Sequence, residues 1–377
     1  MKRVAVLGAG RVGSLIAADL AADDAIAVTV ADASAEALGR LSASCGAHTV
    51  RADLSSPAEL ARVLASCDAA VGAVPGHLGA RVLRAAIEAG RPIADIAFAP
   101  EDPLELDGLA RERGVPAIVD CGVAPGLSNL LVGRSVAELD RADSARILVG
   151  GLPVRRVWPW EYRAVFSPTD VVEEYTRPSR LRRAGAEVVR PALTEIERID
   201  LPGVGTVEAF LTDGLRTLLR TIPLDDLEEK TLRWPGHAEK VLVLRETGFL
   251  DEVPVEVGGV ALAPRALTEA LLFRAWELGP GEPELTVLRV EVRGRRAGRD
   301  VAIVWELVDR TDPGTGATSM ARTTGFPCAI AVRLLLDGTW TRPGVHPPEV
   351  LGGDAVLVAR FRDELAARGV HLTRSEG

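Results

Sequence analysis

The chain has 377 residues, 44 of them basic and 53 acidic, for a formal net charge of −9. That balance gives it no electrostatic reason to seek nucleic acid or an anionic membrane. A composition 47% hydrophobic and 26% charged belongs to a folded chain of about two domains rather than a disordered one. No apolar run approaches a membrane span, and the four cysteines contain no CxxC pair that would signal a metal or redox site. No charged leader precedes the first apolar run, so the expected location is the cytoplasm, with reduced thiols.

In chain order, residues 4–7 read as a strand closed by Gly8, and Val12, Leu15, Ile16 and Leu20 then recur on one helical face. A strand over 26–30, a helix over 36–42 and a strand over 48–51 follow. Pro57 opens a helix to about residue 66, capped by Ser55 or Ser56. A strand over 69–74, a helix over 78–89, a strand over 93–96, a helix over 104–113 and a strand over 117–119 continue the alternation. Such a rhythm predicts a parallel sheet with helices on both faces, an α/β Rossmann unit.

After Asp120 the rhythm breaks. A loop over 121–126 leads into a helix over 127–139. Strands are expected over 145–154, interrupted at Gly150-Gly151, and over 162–166, before a short helix from about 167 to 175. Further strands fall over 187–189, 206–210 and 229–233. A hairpin of 285–293 with 301–308 has Gly294 and Gly298 near its turn. Helices over 327–336 and 355–368 close the chain. The second part therefore reads as an α+β substrate and dimerisation domain with a mixed sheet. The expected division is 1–125, 126–340 and a segment 341–377 that returns to the first domain.

The loop Gly8-Ala9-Gly10-Arg11-Val12-Gly13 fits GxGxxG between a strand and a helix. Gly8 allows the tight turn, Gly10 the approach of a pyrophosphate, and Gly13 close helix packing. Free N–H groups and the positive dipole end of the helix then face the phosphates. Asp32 ends the next strand, where a carboxylate accepts both ribose hydroxyls and repels a 2′-phosphate. Ala33, Ser34 and Ala35 supply no Arg for one, so NAD is the expected cofactor. Asp53 reaches the adenine edge or else caps the helix at Pro57. Val74 and Pro75 end the fourth strand on the nicotinamide side, and His77 beside them reads as an exposed loop histidine.

Several stretches resemble the saccharopine dehydrogenase family, in its reductase-type branch. They are the fingerprint above, Asp120-Cys121-Gly122-Val123-Ala124-Pro125-Gly126, Val149-Gly150-Gly151-Leu152-Pro153 and Glu161-Tyr162. Trp234-Pro235-Gly236-His237-Ala238-Glu239-Lys240 and Arg322-Thr323-Thr324-Gly325-Phe326-Pro327 add to them. Within the family the Gly-Gly-Leu-Pro-Val-Arg and Gly-His-Ala-Glu-Lys segments look most like lysine 6-dehydrogenase. That implies oxidation of the lysine side-chain amine with NAD. Saccharopine reductases imply Gly-Glu shortly after an Asp such as Asp95; here Ile96-Ala97-Phe98 follows, which favours free lysine or another amino acid.

Amine oxidation needs a neutral amine and a group to take its proton, and an amino-acid substrate needs a cation for its carboxylate. Asp95, at the end of the fifth strand, holds the ammonium or accepts its proton, or else only forms a turn. His237, opening a helix, is a proton carrier or a cap. The resemblance implies that Cys121 and Gly122 line the substrate pocket, although a buried cysteine is equally a small hydrophobe. Lys240, Arg216 and Arg322 are candidate carboxylate partners, with solvated or structural salt-bridge roles as the alternative. No metal is expected, and a homodimer or higher homo-oligomer is. Three rival readings stay open: saccharopine dehydrogenase or reductase activity on a secondary amine, a non-catalytic NAD-binding protein, and an aldehyde or hydroxyacid dehydrogenase.

Overall fold

Strands that are apolar on both faces must be covered on both faces. In the computed structural model, which describes residues 1–164, 168–279 and 281–377, the first strands are β1 (Lys2–Leu7), β2 (Ile26–Asp32), β3 (His48–Arg51), β4 (Ala69–Gly72), β5 (Ile93–Asp95) and β6 (Pro116–Ile118), of which β4, β5 and β6 are buried throughout. They alternate with α1 (Arg11–Ala21), α2 (Ala35–Cys45), α3 (Pro57–Ala65), α4 (Gly76–Glu88) and α5 (Asp107–Arg113), and α6 (Leu127–Ala137) follows. All pairings are parallel, in the order β6-β5-β4-β1-β2-β3. The order reverses beside β1, which opens a crevice at the carboxyl ends of β1 and β4. Leu7, Leu60, Leu64, Leu83, Ile87 and Ile93 are sealed in the core below it. Ser34 and Ser56 cap α2 and α3, accepting the N–H groups of Ala37 and Glu59; such a cap contributes about 1 kcal/mol.

The next elements are β7 (Arg141–Pro153), α7 (Pro168–Thr176), β8 (Ser179–Arg183), β9 (Ala186–Arg190), β10 (Glu197–Leu201), β11 (Gly205–Leu211), α8 (Leu218–Thr221), β12 (Asp226–Arg233) and α9 (His237–Glu246). Then come β13 (Val255–Val257), β14 (Val260–Leu262), α10 (Pro264–Trp276), β15 (Glu284–Arg296) and β16 (Arg299–Arg310). The chain closes with α11 (Ser319–Leu336), β17 (Gly344–His346), α12 (Pro348–Gly352), α13 (Ala355–Ala367) and β18 (Thr373–Glu376). The mixed sheet runs β10-β11-β12-β7-β15-β16-β18, with β8 joining β12 to β9; only β12 and β7 pair in parallel. Tyr162, Tyr175, Phe210, Val241 and Trp276 form a core cluster of this part.

The chain divides into a unit of residues 1–138 and 321–371 and a unit of residues 139–320 and 372–377. These limits differ from the expected 125 and 341. β17 pairs in parallel with β6 and extends the first sheet to seven strands, while β18 pairs with β16. The return begins earlier than expected because α11 starts at Ser319 and carries in its interior Pro327, a residue that in sequence marks a helix start. Gly150-Gly151 does not interrupt β7. A side chain at 150 would come 2.4 Å from the Leu232 carbonyl oxygen, so glycine is what lets the strand continue beside β12. The strand expected over 162–166 is not formed at residues 162–163, Ala164 makes a single bridge to Glu277, and the rest lies outside the described residues. Among the described residues no helix is long and apolar enough to cross a membrane.

Candidate functional sites

The three fingerprint glycines do different work. A Cβ on Gly8, whose φ is +114°, would lie 2.2 Å from the Ala73 carbonyl oxygen, and one on Gly13 would lie 2.1 Å from that of Gly8. Both are demanded by the fold. Gly10 is exposed and has no heavy atom within 4 Å of its missing side chain. It opens α1, whose first turn carries no acidic residue, so unpaired N–H groups and the dipole present a surface that fits a pyrophosphate. Exposed Arg11 and half-buried Val12 continue the turn, and buried Val74 and exposed Pro75 border it after β4.

Asp32 ends β2 beside this loop. Its Oδ2 accepts the Ala9 N–H at 2.7 Å and its Oδ1 the Ser34 N–H at 2.8 Å, so the carboxylate is fixed in the position where a ribose would lie. The absence of a nearby Arg does not hold in three dimensions. Arg51 is the register partner of Asp32 on β3, and its Nε donates to the Ala33 carbonyl at 3.2 Å. That neighbour was hidden in sequence because parallel pairing, not proximity along the chain, delivers it. Exposed Asp53 is held by its own turn, and the cap of α3 is Ser56 rather than Asp53. Its Oδ1 accepts both the N–H and the hydroxyl of Ser55 at 2.9 and 2.6 Å, which holds its pKa below the usual range.

Asp95 ends β5 on the same sheet edge and is 4% exposed. Its side chain packs where Gly72 of β4 has none; a Cβ on Gly72 would come 2.1 Å from Asp95 Oδ1. The Asp95 carbonyl accepts the Cys121 N–H at 2.9 Å, which ties the end of β5 to the loop after β6. Asp120, in that loop, is buried and holds a left-handed φ of +52°, a conformation that costs a non-glycine residue about 1 kcal/mol or more. Its place in the Asp-Cys-Gly-Val-Ala-Pro-Gly stretch was visible in sequence, but its backbone conformation was not. Burial, with Cys328, Asp95 and Asp120 nearby, pushes the Cys121 thiol well above its ordinary pKa, and the thiol faces the Ile118 and Val119 carbonyls. With Leu127, Leu130, Pro327 and Phe361 it lines a small apolar cavity inside this unit. Cys121 is therefore a neutral thiol in apolar surroundings rather than a nucleophile. Gly122 is buried against the Pro125 carbonyl and Thr324.

Arg322, also in the first unit, does not present a free clamp. It is buried on α11, donates to the Arg368 carbonyl at 3.2 Å and lies over the Phe326 ring. The remaining candidates are in the second unit. His237 is fully buried at the start of α9. Its Nδ1 donates to the Trp160 carbonyl at 2.8 Å, so the neutral ring accepts at Nε2 from the Tyr175 hydroxyl at 2.9 Å. Arg233 Nε donates in turn to the Tyr175 oxygen at 3.0 Å, and its Nη2 to Glu174 at 2.8 Å. Burial first, then the Arg233 charge, pushes the His237 pKa down to about 3. With both nitrogens engaged and no solvent access, His237 sits as a neutral imidazole in the core of this unit, surroundings that fit a structural group. Lys240 pairs with Glu161 at 3.5 Å and lies over the exposed Trp158 ring. Arg216 is half-buried, with a left-handed φ of +51°. The Glu174–Arg233–Tyr175 set, with Arg233 and Tyr175 buried and Glu174 half-buried, had no sequence signal, since its members are scattered across α7 and β12.

Two family models match the chain: the saccharopine dehydrogenase NADP binding domain over residues 4–118 and the saccharopine dehydrogenase C-terminal domain over residues 122–370. A saccharopine dehydrogenase [NADP(+), L-glutamate-forming] of Pyricularia oryzae is 23% identical over 425 aligned positions, covering 92% of this chain and 93% of that one. A carboxyaminopropylagmatine dehydrogenase of a Synechocystis strain is 21% identical, covering 95% and 94%. Among solved structures, apo saccharopine dehydrogenase (L-Glu forming) from Saccharomyces cerevisiae superposes over the full length of both chains with a TM-score of 0.83 at 20% identity. The parallel-sheet unit and the mixed-sheet unit are those of that fold.

Proposed function

The chain belongs to the saccharopine dehydrogenase family, and on that premise we propose that it is an NAD-dependent dehydrogenase acting on a side-chain amine of an amino acid, in the manner of lysine 6-dehydrogenase. One observation carries the reading: two carboxylates, Asp32 and Asp95, end parallel strands at one edge of one sheet, the first fixed by backbone N–H groups and the second buried. Asp32 takes the ribose hydroxyls, and the turn at Gly10 with the first N–H groups of α1 takes the pyrophosphate. When bound, NAD supplies the acceptor for the hydride that leaves the carbon bearing the amine.

The chain's own part is proton handling. Asp95 attracts the substrate ammonium, and its Oδ takes one proton, freeing the nitrogen lone pair that assists hydride departure. Hydride departure leaves an iminium, which gains one water and loses one ammonium, leaving an aldehyde; the hydride ends on NADH and the proton taken by Asp95 is the one proton released. No thiolate is needed, in keeping with the neutral Cys121. A lysine amine has a pKa of about 10.4, so the rate rises with pH, and a base such as Asp95 matters most near neutrality.

Asp95→Asn tests this role. The expected result is a fall in kcat/KM of about 100-fold near neutral pH, shrinking as pH approaches the amine pKa, with NADH affinity unchanged. An unchanged kcat/KM at neutral pH rules Asp95 out. The relatives' names favour a second reading: oxidation of saccharopine, a secondary amine, with an amino acid released in place of ammonia. NADP in the names of the family model and of that relative points the same way. The two readings differ in the nitrogen product and in the cofactor.

A further inference from the structure

We propose that Glu349 is a positioning residue: through Asn129 it fixes the loop of residues 120–126, and that loop fixes Asp95. The inference rests on the role given to Asp95 above. Its starting point is backbone conformation. Asp120 and Gly126 bound the loop with left-handed φ values of +52° and +140°. A non-glycine residue held in that region persists only where its surroundings over-determine it. Part of the constraint is internal, since the Leu127 and Ser128 N–H groups donate back to the Gly122 and Val123 carbonyls, each at 2.9 Å. A Cβ on Gly126 would lie 2.0 Å from the Gly122 carbonyl oxygen, so the loop closes on itself at a glycine.

The rest of the constraint comes from two buried side chains. Asn129, in the first turn of α6, accepts the Gly126 N–H at 3.3 Å and the Ser128 hydroxyl at 3.0 Å, both at Oδ1. Only the oxygen end of an amide accepts, so the group has to face one way. Glu349 on α12 sets that direction, because its Oε2 accepts from Asn129 Nδ2 at 3.0 Å. With the amide turned over, donor would face donor at Gly126. Glu349 is itself carried on a rigid segment. A Cβ on Gly133 of α6 would lie 2.2 Å from the Glu349 carbonyl oxygen, and one on Gly352 of α12 would lie 2.2 Å from that of Leu130, so the two helices meet backbone to backbone. Just upstream, β17 pairs with β6, and the Val119 N–H donates to the His346 carbonyl at 3.2 Å.

The loop reaches Asp95 through its backbone. The Cys121 N–H donates to the Asp95 carbonyl at 2.9 Å, and Asp95 Oδ1 accepts the Ala97 N–H at 3.3 Å. Every step from Glu349 to Asp95 is a hydrogen bond or a short run of chain inside the first unit. A proton acceptor works only within hydrogen-bond reach of the amine, and a displacement of about 1 Å by a remote substitution can cost about 100-fold in rate. The Gly10 turn lies on none of these steps, so the effect of Glu349 falls on turnover and not on nucleotide affinity.

Two variants of the full chain test this. Glu349→Leu removes the acceptor at similar size, whereas Glu349→Gln keeps an oxygen for Asn129 Nδ2. Hydrogen exchange at residues 121–128 reads the loop, and kcat/KM for L-lysine with NAD reads Asp95. Glu349→Leu is expected to exchange about tenfold or more faster there and to lose about tenfold or more in kcat/KM near neutral pH, with NADH affinity unchanged. Glu349→Gln stays close to the wild type in both. The loss shrinks as pH approaches the amine pKa, as for Asp95→Asn, and combining Glu349→Leu with Asp95→Asn is no slower than Asp95→Asn alone. Should Glu349→Leu not fold, Asn129→Asp, of equal size, breaks the same donor bond and carries the same expectations. Unchanged exchange, a loss equal at every pH, or losses that multiply in the double variant overturn the proposal. Wild-type kcat/KM in Asp95→Asn instead removes Asp95 as the base, and exchange alone then decides whether Glu349 holds the loop.

Discussion

At the scale of single residues, the same glycine serves fold or ligand according to what its missing side chain would touch. Gly8 and Gly13 face backbone oxygens closer than any real Cβ approaches, whereas Gly10 faces open space. Gly10→Val should therefore fold with an unchanged melting temperature and lose NADH affinity tenfold or more, equivalent to about 1.4 kcal/mol; titration by fluorescence reads it. Unchanged affinity in the folded variant would remove the pyrophosphate from this turn. On the proposed reading Asp32, with Arg51 beside it in register on β3, discriminates between the two cofactors. Asp32→Ala leaves Arg51 beside the ribose position and should raise kcat/KM with NADP about tenfold or more relative to NAD. Adding Arg51→Ala should abolish that gain. If Asp32→Ala leaves the ratio unmoved, the carboxylate does not discriminate between the two cofactors.

Buried ionisable groups act through the elements that hold them. Glu229 of β12 is fully enclosed, its Oε2 has no hydrogen-bond partner, and Gly214 leaves just enough room for the carboxyl. Burial, with Glu174 and Asp213 adding negative charge, raises its pKa from 4.5 to about 8. Its folded pKa lies above its unfolded one, so the stability it contributes is full below about 4.5 and is lost as pH rises toward 8. His237 has the opposite sign. Its folded pKa is depressed from 6.5 to about 3, so stability is lost as pH falls below about 6.5, where the unfolded ring gains a proton first. Glu229→Gln should therefore raise the melting temperature at pH 8 by several degrees and change it little near pH 5. Equal shifts at both pH values would mean that Glu229 is ionised in the fold.

The same scale explains what was legible in sequence. β1, β4, β5 and β6 are legible because strands buried on both faces are continuous apolar runs between turn residues, whereas β3, His-Thr-Val-Arg, is partly exposed and is marked by its place in the strand–helix alternation. β8 and β10, Ser-Arg-Leu-Arg-Arg and Glu-Arg-Ile-Asp-Leu, were missed because their sequences are mostly charged. The β13–β14 hairpin is not legible because strands of three residues fall below any period that can be counted, and α10 because its apolar residues are spread around the helix rather than on one face. Of the candidate sites, the nucleotide turn and Asp32 could be read from spacing alone. The fate of His237 could not, because the Tyr175 hydroxyl and Trp160 carbonyl that close around it lie far away in the chain.

At the scale of the whole molecule, the chain leaves the nucleotide-binding unit at 138, builds the mixed sheet, returns at 321 and leaves once more at 371. The family and the fold make it a dinucleotide-linked oxidoreductase; which C–N bond it oxidises rests on the proposal above. The most direct test is parallel initial rates with L-lysine and with saccharopine, each with NAD and with NADP, reading reduced cofactor and ammonia together. The account predicts turnover of L-lysine with NAD preferred, and one ammonia for each NADH. Turnover of saccharopine with an amino acid released and no ammonia, or a clear preference for NADP, would contradict it.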